Sequence, residues 1–205
     1  MFKLVEYLLQ SISCAVVNLF VSSKHQDLIQ AIFKNDRSSE IYDSVYSSVG
    51  EIGVDIIRDI APEFKPLAAI QAITLLRFGD ASTLSLSDVG ESGRFLVKQK
   101  KTGYYVTCQL PWVFTRSNLQ SFPPNFRFFP YSYRRYQYAI RHAIGFRSWR
   151  KNGEIKDRSH IFRHLAASKM AAEGVHQSVI SNALGQVSRD TLQFYVDETI
   201  FHLFV

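Results

Sequence analysis

Three polar residues stand out in the closing stretch from Ser159 to Phe204. Gln186 follows Arg163 by 23 residues, and Tyr195 follows Gln186 by 9. A guanidinium is planar and offers two parallel N–H bonds to two oxygens of one anion, so Arg163 is suited to hold a phosphate or carboxylate. A phenol becomes a nucleophile where its surroundings help it lose a proton, and Tyr195 has that capacity if the anion beside it is a phosphate ester. His160-Ile161-Phe162-Arg163 adds an imidazole three residues before the arginine. Singly, these residues are ordinary: the chain has 10 tyrosines, and amphipathic tyrosines and helix-end arginines are common. Their spacing across a mostly apolar helical segment points to a site, and a site needs partners upstream.

The first such partner closes an apolar run. Pro62 and Pro66 punctuate the chain, a helix is predicted over Leu67–Leu76, and Leu76-Arg77-Phe78-Gly79-Asp80 follows. A charge at the end of so apolar a run must be paired or must face a cleft. Asp80 is one candidate partner, as a plain helical Arg77 to Asp80 pair. A short helix with Ala81, Leu84 and Leu86 is expected next, ending at Ser87-Asp88. From Arg94 the period changes. Phe95 and Val97, then Tyr105, Thr107 and Gln109, alternate about Lys100-Lys101-Thr102-Gly103, which reads as an antiparallel hairpin with Lys98, Lys100 and Lys101 near its tip.

Pro111, Pro123, Pro124 and Pro130 mark an irregular connection. Tyr131 to Ile144 reads as a helix dense in arginine and aromatic residues. From Arg127 through Arg163 there are ten Lys/Arg against only Glu154 and Asp157. Interleaved guanidinium and aromatic groups suit a phosphate backbone, so Arg134, Arg135, Arg141, Arg147, Arg150 and Lys151, with Lys98 and Lys100, are the expected nucleic-acid contacts. A solvated basic helix is the plainer reading. Ser159 is a candidate cap for a helix running from near His160 to Glu173 and ended by Gly174. A further helix over Ser178–Leu184 ends at Gly185.

Charge follows the same division. Residues 1 to 60 hold five Lys/Arg against eight Asp/Glu, and residues 61 to 205 hold nineteen against ten, so the part with the candidate site carries a net charge of +9. Such a balance favours a polyanionic partner. With 46% hydrophobic and 20% charged residues the chain is globular rather than disordered. Cys14 and Cys108 form no CxxC and no Cys/His cluster, so no metal site is expected and a reducing, cytoplasmic setting is favoured. Phe2, Val5, Leu8, Leu9, Ile12, Val16 and Phe20 recur at helical spacing. Because Glu6, Gln10 and Asn18 interrupt them, the start reads as an amphipathic helix rather than a leader or membrane span. Helices are also expected over 24–34 and from Ile41 to Ile57, the latter weakened at Gly50 and Gly53. The closing Ile200, Phe201, Leu203, Phe204 and Val205 form an apolar tail that suits docking against another protomer.

Together these segments resemble the catalytic domain of the tyrosine recombinase (phage integrase) family. The stretch Leu76 to Asp80, followed by Leu84 and Ser87-Asp88, is similar to the family's first-arginine box, with Asp80 where Glu is usual. Lys101-Thr102-Gly103, 24 residues after Arg77, is similar to the hairpin with the catalytic lysine, and Lys100 or Lys98 remains an alternative to Lys101. His160-Ile161-Phe162-Arg163-His164 resembles the His-x-x-Arg box, Leu184-Gly185-Gln186 the Leu-Gly-His box with Gln for His, and Tyr195 stands at the nucleophile position. The resemblance covers about residues 40 to 200.

It implies an α+β fold, mainly helical with a small antiparallel hairpin, divided into a short N-terminal helical segment (1–39) and a catalytic domain with a docking tail (40–205). It also implies a site-specific recombinase or integrase that cuts and rejoins double-stranded DNA through a 3′-phosphotyrosyl intermediate, without metal or cofactor, as a homotetramer on DNA. Catalytic roles would fall to Tyr195, Arg77, Lys101, His160, Arg163 and Gln186, with Asp80 supporting. The alternatives are a type IB topoisomerase-like activity and a DNA-binding relative without efficient chemistry. Gln186 can donate a hydrogen bond but cannot carry a titrating proton, which bears on the last.

Overall fold

Ile41, Val45 and Val49 recur every fourth residue and are fully buried, which is the spacing that lines one face of a helix. In the computed structural model, which describes residues 23–33, 38–144, 160–185, 192 and 196, they form the first arm of helix α2 (Ser38–Asp59), after α1 (Ser23–Phe33). The weakness expected at Gly50 is real: this glycine takes φ 72°, ψ −175° and interrupts the helix. Residues 42 and 58 would stand about 24 Å apart along a straight helix. Instead the Arg58 guanidinium lies 5.3 Å from the centre of the Tyr42 ring, so α2 is sharply bent. Leu28 and Ile32 of α1 enter the same core as α2.

A 3-10 turn, Pro62–Phe64, leads into α3 (Lys65–Thr74), with Pro66 in the first turn where a missing N–H costs nothing. Nearly every side chain of α3 is buried, from Pro66 through Ala72, with Gln71 the polar residue within that span. The helix ends two residues before the expected Leu76. Leu75 adopts a left-handed conformation (φ 56°, ψ 20°) and its N–H closes on the Gln71 carbonyl at 2.9 Å. The short helix expected through Leu86 is also interrupted. One turn, α4 (Phe78–Ala81), is followed by an isolated bridge between Ser85 and Arg127 and a separate 3-10 turn, Leu86–Asp88, in which Ser85 and Asp88 cap one another.

The hairpin forms as expected: β1 (Arg94–Lys98) pairs antiparallel with β2 (Tyr105–Gln109), Phe95 facing Cys108 and Val97 facing Val106. Those four residues make its inner face; Leu96 and Tyr105 are exposed on the other side. An irregular run then leads to α5 (Tyr133–Ile144), α6 (Ile161–Ala172) and α7 (Gln177–Ala183). Helix α5 buries Tyr136, Ala139, Ile140, Ala143 and Ile144. Gly174 (φ 75°) ends α6: its N–H donates to Ala171 O, and Val175 N–H to Met170 O. This is the paired geometry that a left-handed glycine permits after a helix. The cap position of α6 is His160, not Ser159.

The described residues are thus mainly α-helical with one two-stranded antiparallel sheet. Among them no helix is long and apolar enough to cross a membrane. The expected N-terminal helix and C-terminal tail lie outside the described residues, as do Arg147, Arg150, Lys151, Gln186 and Tyr195.

Candidate active site

Arg77 stands at the cap position of α4 in extended conformation (φ −65°, ψ 153°), two residues after the left-handed corner at Leu75. Its terminal nitrogen donates to the Gln99 side-chain carbonyl at 2.5 Å, and the Thr102 hydroxyl donates to the same oxygen at 3.0 Å. The Arg77 Nε is buried without a hydrogen-bond partner. Arg77 and the hairpin tip, separated by more than twenty residues, are therefore held together by one amide.

The candidate ion pair between Arg77 and Asp80 is not formed. Asp80, 4% exposed, accepts from the backbone N–H of Lys100 at 3.0 Å, and among the described residues no ion pair joins it to Arg77. The carboxylate is drawn across to the hairpin because an unpaired strand-end N–H there needs an acceptor. Asp80 also reaches the inner face of the hairpin electrostatically. Burial first, and then its negative charge, push the Cys108 thiol up to about 12.

The three hairpin lysines are not equivalent. The Lys100 ammonium donates to Gly79 O at 2.9 Å and Lys98 lies 5.6 Å from the centre of the Tyr105 ring. Lys101 is exposed at the turn with no side-chain partner among the described residues. Among the described residues Lys101 makes neither a hydrogen bond nor a ring contact, the condition for moving a proton or meeting an anion.

Arg163, on the first turn of α6, is 1% exposed. One terminal nitrogen donates to Leu75 O, at the end of α3, and the other to Leu184 O, at the end of α7, at 2.6 Å. The last carbonyls of a helix lack intrahelical partners and carry the negative end of its dipole. Two such ends compensate one buried guanidinium. The fork that sequence spacing suits to an anion is here turned onto the protein's own main chain. His160 is half-buried immediately before α6.

Leu184 is buried and is followed by Gly185 (φ 77°), which donates to Asn182 O at 2.9 Å. A Cβ on Gly185 would overlap the side-chain amide of Gln99. Residues 75–80, 99–102, 160–163 and 184–185 thus converge, with Arg163 and Gln99 as the two joints. Leu192 is buried in the core, Val196 packs partly buried against it, and Val196 N–H donates to Leu192 O at 3.1 Å. Sequence reasoning missed Gln99. The signal was present in the alternation Phe95, Val97, Gln99, which puts residue 99 on the inner face.

The basic face expected on α5 is exposed: Arg134, Arg135, Tyr138, Arg141 and His142 all face solvent, with Arg135 lying 5.3 Å from the Tyr131 ring centre and the Tyr138 ring 4.2 Å from that of His142 at a tilt of 56°. Compared with known proteins, the chain matches no family model and no curated sequence.

Proposed function

We propose that this chain is a tyrosine-type DNA strand transferase, a site-specific recombinase or integrase built on the tyrosine recombinase catalytic-domain fold. The observation that carries the reading is the convergence of four sequence-distant segments, those of Arg77, Lys101, His160-Arg163 and Leu184-Gly185, each of which the resemblance singles out. The exposed arginine and aromatic face of α5 supports a DNA partner.

In this reading the Tyr195 oxygen attacks the scissile phosphorus, the bond from phosphorus to the 5′-oxygen breaks, and a 3′-phosphotyrosyl ester forms. Lys101 gives the leaving 5′-oxygen its proton, and His160 assists proton movement at the phenol. Arg77 offsets charge as it builds on the non-bridging oxygens. Gln186 adds a donor to the phosphate, and Arg163, bonded to the Leu75 and Leu184 carbonyls, holds those two segments at the site. Attack by a 5′-hydroxyl from another strand reverses the chemistry and completes exchange without an external energy source. The apolar tail at 201–205 docks on a neighbouring protomer of a tetramer.

The test is incubation with random-sequence DNA duplexes that each carry one strand nick, so that a cleaved fragment is lost and the intermediate is trapped. Wild-type protein should give a detergent-resistant DNA adduct, and Tyr195→Phe should give none while retaining DNA binding. An adduct that persists in Tyr195→Phe defeats the nucleophile assignment. A second reading, a DNA-binding relative without efficient chemistry, is favoured by the commitment of both Arg163 termini to carbonyls. It predicts binding by both proteins and an adduct from neither.

A further inference from the structure

Arg77 meets no carboxylate among the described residues. Its obvious partner, Asp80, is three residues away and is spent on the Lys100 backbone N–H. The acceptor that does meet Arg77 is the neutral amide of Gln99, which is 1% exposed. The same oxygen also takes the Thr102 hydroxyl, and the amide is pinned from behind by the close approach of Gly185. We infer that Gln99 is a positioning residue that fixes the Arg77 guanidinium through a neutral acceptor, leaving its positive charge undiminished for a phosphate.

The inference rests on the strand-transferase reading and extends it. A carboxylate would orient a guanidinium at least as firmly, because charge-assisted bonds are the stronger ones. It would also cancel the charge that must face the developing negative oxygens. An amide supplies geometry without cancellation. Holding Thr102 on the same oxygen ties Arg77 to the turn that carries Lys101, so the charge and the exposed ammonium keep a constant spacing.

The experiment is a double-mutant cycle in the full chain, using Gln99→Glu, Arg77→Ala and the pair together, read as adduct yield on the nicked random-sequence duplexes and as melting temperature. Gln99→Glu keeps shape and acceptor, so its melting temperature should match the wild type, while adduct yield should fall about tenfold. Arg77→Ala should fall about a hundredfold, and the double variant should match Arg77→Ala within about twofold, because Gln99 acts only through Arg77. A purely structural Gln99 would leave Gln99→Glu at wild-type yield, or lower the yield equally in both backgrounds, and either result overturns the inference. If Gln99→Glu melts well below the wild type, Gln99→Met takes its place in the cycle, with the same non-additivity expected and the same additive result overturning it. Absence of an adduct from wild-type protein would overturn the strand-transferase reading, and this inference with it. A wild-type adduct with a cycle that is additive overturns this inference alone.

Discussion

The two arginines that converge on the candidate site are held in opposite ways. Arg163 is sealed from solvent and gives both termini to the ends of two helices, whereas Arg77 is half-buried and, among the described residues, makes one side-chain bond, to a neutral amide. One guanidinium is compensated by the protein itself; the other is merely aimed. The difference separates two tasks that one residue type serves. A buried cation is tolerated where partial negative charges already wait for it, and a cation meant for a ligand must be oriented without being neutralised.

The sharpest way to break this comparison is to truncate each arginine. Arg163→Ala leaves two helix-end carbonyls and a cavity behind, so it should destabilise the chain by about 3 kcal/mol or more. Arg77→Ala removes one bond at a half-exposed site and should cost about 1 kcal/mol. Denaturation in urea gives both values, and equal losses would erase the distinction.

Gly185→Ala tests the contact behind Gln99. An alanine there must hold φ near 77° and push on a buried amide, which should cost about 1–2 kcal/mol and lower adduct yield through displacement of Gln99. Unchanged stability, measured by the same unfolding experiment, would mean that the corner yields easily and does not pin Gln99.

Glu63 offers the smallest effect and a useful contrast with Arg163. Its carboxylate is buried at the 3-10 turn before α3, and Oε1 has no hydrogen-bond partner. Burial raises its affinity for a proton above the ordinary carboxylate level; its own backbone N–H and then the Arg135 charge pull the other way. A raised folded value means that the stabilising contribution is complete below the unfolded value of 4.5 and is lost as pH rises through the folded one. Glu63→Gln should therefore raise the melting temperature by about 2 °C at pH 8 and change it little at pH 4. An increase as large at pH 4 would contradict the assigned cause.

Much of the architecture was legible because the deciding signals are local. The inner positions Phe95 and Val97 and the turn at Gly103 define the hairpin, and Gly174 and Gly185 stop their helices because each takes a positive φ that other residues resist. The site was legible as a set of converging segments but not as a set of contacts. Asp80 reads as the partner of Arg77 at a spacing of three, yet it is taken by an N–H 20 residues further on. Leu75 carries no mark of a left-handed corner. That conformation is sustained by Gln71 within α3 and by Arg163, 88 residues away. Asp80 and Leu75 both answer to tertiary partners, which local pattern does not encode.

In the proposed reaction Tyr195 carries DNA covalently. Digesting a wild-type adduct with nuclease and protease and weighing the peptides tests it most directly. The expected result is a nucleotide ester on the peptide containing Tyr195 and on no other tyrosine peptide; a nucleotide on a different residue, or none on any, would contradict the proposed strand transfer.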